Sequence, residues 1–393
     1  MERNRMIDTI RGLSVLMVFL FHIVLIWKNM SVMAFHETPN FGAFANFCLQ
    51  WGTYGVDVFF TLSGYLIAQS LNRKIDLKEF YVKRFARIVP IYYAVVLGNS
   101  ILFLVAAPIM AKDPIQHQAW LWNQENQAYY YTFLASYRPH FGPDFAGHLW
   151  SLAVEEHFYL TFPLIFVCFR RHIVPVCTLI FLGLLLSRGY QHFFASEVAY
   201  DFHYHRTHER ILGLFLGALL YFRRELFQQK MFGLIFALSA LAFYSSFEGL
   251  KPGQSYLSAS ATTAMKTSEW LKHLMPSLAV MFVLAHFESF TIRGRLTLPL
   301  EKLGKASLSF YVFGYIANCL VSFVCVLTQA KDFVIYCTSV TLLTLLLSVS
   351  SYFVFEKWLF KIILRAALKQ PTALKEGPPE TSAAKSNSTK KAG

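Results

Sequence analysis

The chain has 393 residues, of which 55% are hydrophobic and only 15% are charged. A soluble domain carries about 25% charged residues, so this composition excludes an ordinary soluble protein and indicates one embedded in a lipid bilayer. The formal net charge of +13 would suggest nucleic acid in a soluble protein, but membrane topology accounts for it here, and we expect no nucleic-acid partner.

Ten apolar segments follow one another along the chain, most of them about 20 residues long, the length a helix needs to cross the bilayer core. They lie near residues 9–28, 53–71, 88–111, 149–169, 172–187, 210–222, 232–247, 274–290, 306–328 and 333–355. The first starts like a signal sequence, but it is long and has no small-residue cleavage site, so we expect it to be retained. The sequence therefore predicts an all-α, polytopic integral membrane protein.

The basic residues predict the orientation of this protein. With the N-terminus inside, 26 of the 36 lysines and arginines fall in segments on the cytoplasmic side. This asymmetry is the one that the positive-inside rule describes. We therefore expect a multi-pass protein of the cell (inner) membrane with both termini in the cytoplasm.

The chain is expected to have a membrane domain over 1–368 and a tail over 369–393. An amphipathic stretch at about 356–368 closes the membrane domain, with basic residues on one side. The tail is rich in Pro, Ser, Thr, Ala and Lys, which is typical of a disordered segment. The largest predicted outside loop, 112–148, is rich in Trp and Tyr, which suits either aromatic anchors at the interface or a platform for stacking sugars.

Six cysteines are spread along the chain without any C-x-x-C pair. Five lie in or beside apolar segments, where cysteine behaves as a small hydrophobic residue. We therefore expect neither a metal site nor a disulfide framework.

Arg11 and His22 both lie in the first span, eleven residues apart. Eleven residues make about three turns of α-helix, so the two side chains share one face. Charged and titratable side chains inside a membrane are costly and usually face a cavity that serves function.

Four further polar residues are predicted at about the depth of His22. Asp57 lies near the start of the second span, and His148, Ser151 and Glu155 form one stripe of the fourth span. A carboxylate beside an imidazole orients it and raises its basicity, as a general base requires. Interhelical hydrogen bonds are the alternative explanation for each of these residues.

A second polar group is predicted on the cytoplasmic side. Arg84 and Arg87 lead into the third span, and Arg11 lies at a similar depth. Guanidinium groups grip phosphates through paired hydrogen bonds, which favours an anion site. Ordinary positive-inside anchoring is the alternative.

Four sequence blocks follow one another along the chain: Arg11–His22, Gly55–Ile67, Arg84–Pro90 and His148–Tyr159. They read R-x10-H, G-V-D-x-F-F-x-L-S-G-aromatic-L-I, R-x-x-R-I-x-P and H-x-W-S-L-x-x-E-x-x-F-Y. In these blocks the chain resembles the bacterial membrane O-acyltransferases of acyltransferase family three, which acetylate O-antigen, exopolysaccharide, peptidoglycan and similar glycans. The resemblance extends over about residues 5–365.

The resemblance implies acetyl-CoA or another acyl-CoA as the donor substrate, with no permanently bound cofactor and no metal. By the same resemblance, Arg11, Arg84 and Arg87 bind or position the CoA phosphates or the thioester. The acceptor is a hydroxyl of a glycan or lipid-linked glycan, lipopolysaccharide O-antigen among the candidates.

The resemblance also implies that His22 is the general base on the acceptor hydroxyl and that Asp57 or Glu155 orients its imidazole. Glu156, the neighbour of Glu155, is the alternative reading of the motif. The other pocket residues implied in this way are His148, Trp150, Ser151, Ser63 and Tyr65.

The C-terminal part of the chain departs from the family pattern. The S-L-S-x-Y block is present at Ser307–Tyr311, but Phe313 and Gly314 replace the frequent Trp-His pair, and no proline follows Glu356 as the family pattern would have it. The role of these spans therefore stays open. Two other functions also stay open: a proton-coupled transporter and a non-catalytic component of polysaccharide export.

Overall fold

A computed structural model describes residues 5–35, 42–110, 114–140, 145–194, 205–229, 233, 273–287 and 297–368. These ranges are helical, with short connections and no β-strand among them. The α-helices are α1 (Arg5–Phe35), α2 (Ala43–Trp51), α3 (Tyr54–Arg73), α4 (Leu77–Met110), α5 (Pro114–Tyr131), α6 (Trp150–Cys168), α7 (Ile173–Phe194), α8 (Thr207–Arg210), α9 (Leu212–Phe222), α10 (Arg224–Phe227), α11 (Leu274–Phe287), α12 (Thr297–Lys305), α13 (Ser307–Thr328), α14 (Phe333–Ser351) and α15 (Phe360–Leu368). A π-helical segment, Tyr352–Leu359, joins α14 to α15.

Six helical segments of the described ranges are long and apolar enough to cross a membrane. They are Arg5–Val32, Leu77–Leu102, Gly147–Cys168, Arg170–Tyr190, Ser307–Thr328 and Phe333–Leu368. The predicted class, an all-α multi-pass membrane protein, is confirmed. The predicted count of ten spans is not, and the sidedness of the termini stays a prediction.

The other four predicted spans have different outcomes. The second and sixth form α3 and α9, and the eighth contains a shorter apolar helix, Leu274–His286. The seventh, 232–247, lies outside the described residues apart from Gly233, and the predicted tail from 369 onwards also lies outside them.

The region predicted as the largest outside loop, 112–148, contains the 18-residue helix α5. The α5 segment is too polar to be recognised as a span, although it folds against α4. Tyr92 and Tyr93 of α4 donate hydrogen bonds to the carbonyl oxygens of Tyr130 and Tyr131, at 2.8 and 2.9 Å. Tyr130 is fully buried, so it belongs to the core and not to a platform that stacks sugars.

The apolar core that positions the site lies where α3, α6 and α9 meet. Phe158 and Phe162 of α6 stack with ring centroids 4.6 Å apart, and Phe158 meets Phe215 of α9 edge to face at 5.3 Å. All three rings are buried, and aromatic pairs of this geometry add about 0.5–1.5 kcal/mol to the burial of area. This packing fixes the rotation of α6 about its axis, and with it the face on which Ser151 and Glu155 lie.

Glycines let α3 and α9 approach until their backbones touch. A Cβ atom at Gly64 would lie 1.9 Å from the carbonyl oxygen of Leu214, and one at Gly217 would lie 1.9 Å from that of Thr61. Small residues permit this kind of close helix packing inside membranes. The contact holds α3, which carries Asp57, firmly against α9.

Replacing Gly217 with leucine is expected to destroy most of the folded protein. The new side chain has no space beside Thr61, and overpacking of this kind typically costs about 1–3 kcal/mol or more. The matched control is Gly183→Leu in α7, because a Cβ atom there meets nothing within 4 Å. Size-exclusion yield in detergent and the Tm measure both variants; equal yields would contradict the proposed role of this contact.

Candidate active site

A cavity of about 60 Å³ lies among α1, α3, α4, α6 and α13. Its polar lining consists of Arg11, Arg84, Arg87, Ser151, Glu155, Tyr159, Ser307 and Tyr311. The three arginines predicted as an anion site therefore share one cavity with two members of the predicted α6 stripe. The cavity is much smaller than a site that encloses a drug-sized ligand, which has roughly 300–1,000 Å³.

Positive charge dominates one part of this cavity. The guanidinium of Arg84 lies over the ring of Tyr159, 4.9 Å from its centroid, and 5.5 Å from that of Phe80. Arg11 is close enough to Arg87 and Glu155 to interact with both charges. Stacking on aromatic faces holds Arg84 in place and leaves its hydrogen-bond donors for an anion.

Glu155 supplies the negative charge of the cavity and is fixed by two hydrogen bonds. Its Oε1 accepts from Ser63 Oγ at 2.6 Å, and its Oε2 accepts from the Tyr159 hydroxyl at 3.0 Å. Glu156 does not line the cavity, and its Oε1 has no hydrogen-bond partner among the described residues. The geometry therefore assigns the cavity carboxylate to Glu155.

Tyr311 links the cavity to His148. Its hydroxyl lies 2.7 Å from Ser151 Oγ and donates to the carbonyl oxygen of His148 at 2.8 Å. The imidazole of His148 is buried, and neither ring nitrogen has a hydrogen-bond partner in the described ranges.

His22 and His148 meet at one aromatic ring. The ring of Tyr315 lies 5.0 Å from the imidazole of His22 and 4.5 Å from that of His148, measured between centroids. Tyr315 is one helical turn beyond Tyr311 in α13. Two histidines that the sequence placed at one depth are therefore brought together by a third helix.

Asp57 does not join His22, contrary to the predicted five-residue pocket. Its carboxylate lies 2.8 Å from the Arg210 guanidinium and 2.9 Å from His273 Nδ1, and all three side chains are buried. Glu155 is likewise engaged by Ser63 and Tyr159. In the part of the chain that the structure describes, neither carboxylate therefore bonds to the imidazole of His22.

Two other predicted pocket residues lie beside the cavity and not in its lining. The Trp150 ring lies 5.5 Å from the Arg210 guanidinium and packs edge to face on Phe60 at 6.2 Å. Tyr65 is buried against Tyr221, with ring centroids 5.6 Å apart. Both residues support the walls of the site.

Most of the chain also matches a known family. A family model described as an acyltransferase domain, Acyl_transf_3, matches residues 4–353. The chain belongs to this family. The match contains all four sequence blocks as well as every residue that lines the cavity, and it confirms the resemblance on which the site was predicted.

Curated relatives of this family member are named as O-acetyltransferases. The chain is 34% identical over 191 residues to "O-acetyltransferase OatA" of Staphylococcus aureus (strain NCTC 8325 / PS 47), a match covering 44% of this chain and 31% of that protein. It is 29% identical over 172 residues to "Peptidoglycan O-acetyltransferase OatA" of Listeria monocytogenes, covering 42% and 24%. The chain thus spans about a third or less of the length of these relatives. No solved structure matches it significantly.

Sequence reasoning about this Acyl_transf_3 member missed three residues of the site as functional groups. Tyr159 stands at the end of the α6 block, and Ser307 and Tyr311 belong to the S-L-S-x-Y block. The signal was present in both blocks, but nothing in the sequence places the start of α13 against α6. Arg210, the partner of Asp57, lies at the very start of the sixth predicted span, and nothing in its sequence pattern pairs it with Asp57.

Proposed function

We propose that this chain is an integral membrane O-acyltransferase that moves an acyl group, most simply acetyl, from acyl-CoA to a hydroxyl of a cell-envelope glycan. One observation carries the proposal. Three arginines and a hydrogen-bonded glutamate converge on one cavity inside a domain of an acyltransferase family. The donor is a substrate, and no resident cofactor is proposed.

The arginines suit the donor. Acyl-CoA is a polyanion joined to a small thioester, and guanidinium groups bind phosphates through paired, charge-assisted hydrogen bonds. A cavity of about 60 Å³ suits the acyl end and not the nucleotide. In our proposal the nucleotide therefore lies on the cytoplasmic side of the arginines, and the thioester points towards Ser151 and Tyr311.

His22 is the proposed general base, and it takes the proton of the acceptor hydroxyl. His148 lies on the same tyrosine ring and contributes a second imidazole to that part of the site. We assign Glu155 to the donor cavity, where it offsets the positive charge of Arg11. We assign Asp57 to the support of Arg210, under the ring of Trp150.

The acceptor is proposed as a glycan hydroxyl of the cell envelope. The name of the Listeria relative specifies peptidoglycan, so peptidoglycan fragments are the first acceptor to test, followed by lipopolysaccharide O-antigen and lipid-linked glycans. Localisation in the inner membrane belongs to the same proposal. A transporter or a non-catalytic export component would neither bind nor consume acyl-CoA, which separates these alternatives from the enzyme.

Arg11→Ala is expected to weaken acetyl-CoA binding by about 10- to 100-fold, the equivalent of one or two charge-assisted hydrogen bonds. Calorimetry on nanodisc-embedded protein measures the Kd, and thiol release measures turnover. The matched control is Arg171→Ala, which removes an exposed arginine in the turn between α6 and α7. If the wild type binds no acyl-CoA, the proposed function is overturned; if it binds and Arg11→Ala binds equally well, the assignment of Arg11 is wrong.

A further inference from the structure

Ser307, the first residue of α13, carries a hydroxyl for which the sequence analysis predicts no function. Ser307 lines the cavity and is 1% exposed, and its Oγ has no hydrogen-bond partner among the described residues. The other hydroxyls of the cavity lining are engaged. Those of Ser151 and Tyr311 bond to each other, and that of Tyr159 donates to Glu155. A buried polar group without a partner is costly and calls for an explanation.

The position of Ser307 on its helix adds a second, independent observation. It opens α13, a helix of 22 residues, and the preceding residue, Ala306, provides no side-chain cap. The N-terminal turn of a helix carries partial positive charge and favours anions. Ser307 and Leu308 line the same cavity as the three arginines. The Ser309 amide of this turn already donates to the Glu356 carboxylate at 3.2 Å, so the arginines together with the first residues of α13 favour a further oxygen atom that carries negative charge at this end of the cavity.

We infer that the Ser307 hydroxyl donates a hydrogen bond to the oxyanion that forms during acyl transfer; this inference rests on the proposed function. The acceptor oxygen bonds to the thioester carbonyl carbon, its proton passes to a base of the site, and the carbonyl π electrons move to the oxygen facing Ser307. Collapse re-forms the carbonyl and breaks the C–S bond. The thiolate leaves and takes up that proton, so the products are the ester and free CoA thiol.

Ser307→Ala is expected to lower kcat by about 10²- to 10³-fold, the usual effect of losing one oxyanion donor. The Kd for acetyl-CoA should stay within about twofold, because the donor acts on charge that develops only in the transition state. The Tm should not fall, since the lost hydroxyl has no hydrogen bond to any described residue. Ser307→Cys keeps the shape of the side chain but offers only a weak hydrogen-bond donor. Its kcat is therefore expected to lie between those of the wild type and Ser307→Ala.

The matched control is Ser309→Ala, two residues further along α13. Ser309 is fully buried, and its Oγ donates to Glu356 at 2.6 Å, outside the cavity lining. Its loss should lower the Tm and leave turnover per folded molecule near the wild-type value. Acetyl-CoA with peptidoglycan fragments or water as the acceptor is the probe.

The outcomes separate the two proposals. A wild type that neither binds nor consumes acetyl-CoA overturns the proposed function and this inference with it. A wild type that turns over, with Ser307→Ala and Ser307→Cys equally fast, overturns the inference alone. So does a parallel loss of donor binding and turnover in Ser307→Ala, because that pattern belongs to a binding or structural residue.

Discussion

Replacing His22 with alanine is expected to lower the rate of acyl transfer by about 10²- to 10⁴-fold, the contribution of a positioned general base. The folded protein should persist, because the imidazole contacts Phe21 and Tyr315 through its ring and makes no hydrogen bond within the described part of the chain. Thiol release from acetyl-CoA, measured with an acceptor glycan and normalised to folded protein, gives the effect. Donor binding should remain, because Arg11 is about three turns away on α1.

The matched control is His172→Ala, which removes an exposed histidine at the turn between α6 and α7. Its turnover and Tm should match the wild type. His148→Ala tests whether the second imidazole on Tyr315 shares the proton-transfer role. Wild-type turnover in His22→Ala would rule out His22 as the base, and a selective loss in His148→Ala alone would move the role to that residue.

The helices that carry the site were predictable because each motif defines a face of its own helix. Arg11 lies on α1 in R-x10-H, and Ser151 and Glu155 lie on α6 at a spacing of one turn. Hydropathy located most spans for the same reason, since burial in lipid demands a long apolar run. Helix α5 was missed because its polar sequence satisfies no such demand, although Tyr92 and Tyr93 bind its C-terminal end.

Contacts between helices were not predictable in the same way. Asp57 and His22 were matched by depth alone, but depth says nothing about the rotation of α3 about its axis. The backbone contact through Gly64 and Gly217 sets that rotation. It places Asp57 next to Arg210, a full positive charge, which is a stronger partner for a buried carboxylate than a neutral imidazole.

Asp57→Ala is expected to destabilise the protein by about 3–5 kcal/mol, the usual cost of removing one partner of a buried ion pair. The change takes away a carboxylate 2.8 Å from Arg210 and 2.9 Å from His273, in a region where all three side chains are at most 6% exposed. Size-exclusion yield and the Tm in detergent should both fall sharply. Asp57→Asn should also be unstable, because the amide keeps the shape but not the charge.

The double variant Asp57→Leu with Arg210→Met shows whether Asp57 supports the fold or acts on His22. Replacing both members of a buried pair with apolar residues is often neutral or stabilising, so the double variant should recover part of the lost Tm, although His273 still loses its contact with Asp57. If Asp57 supports the fold through Arg210, turnover per folded molecule should recover as well, and the two changes should be strongly non-additive. Recovered stability with turnover still lost would instead return Asp57 or Arg210 to the chemistry, through a contact with His22 or substrate that forms only when the donor is bound.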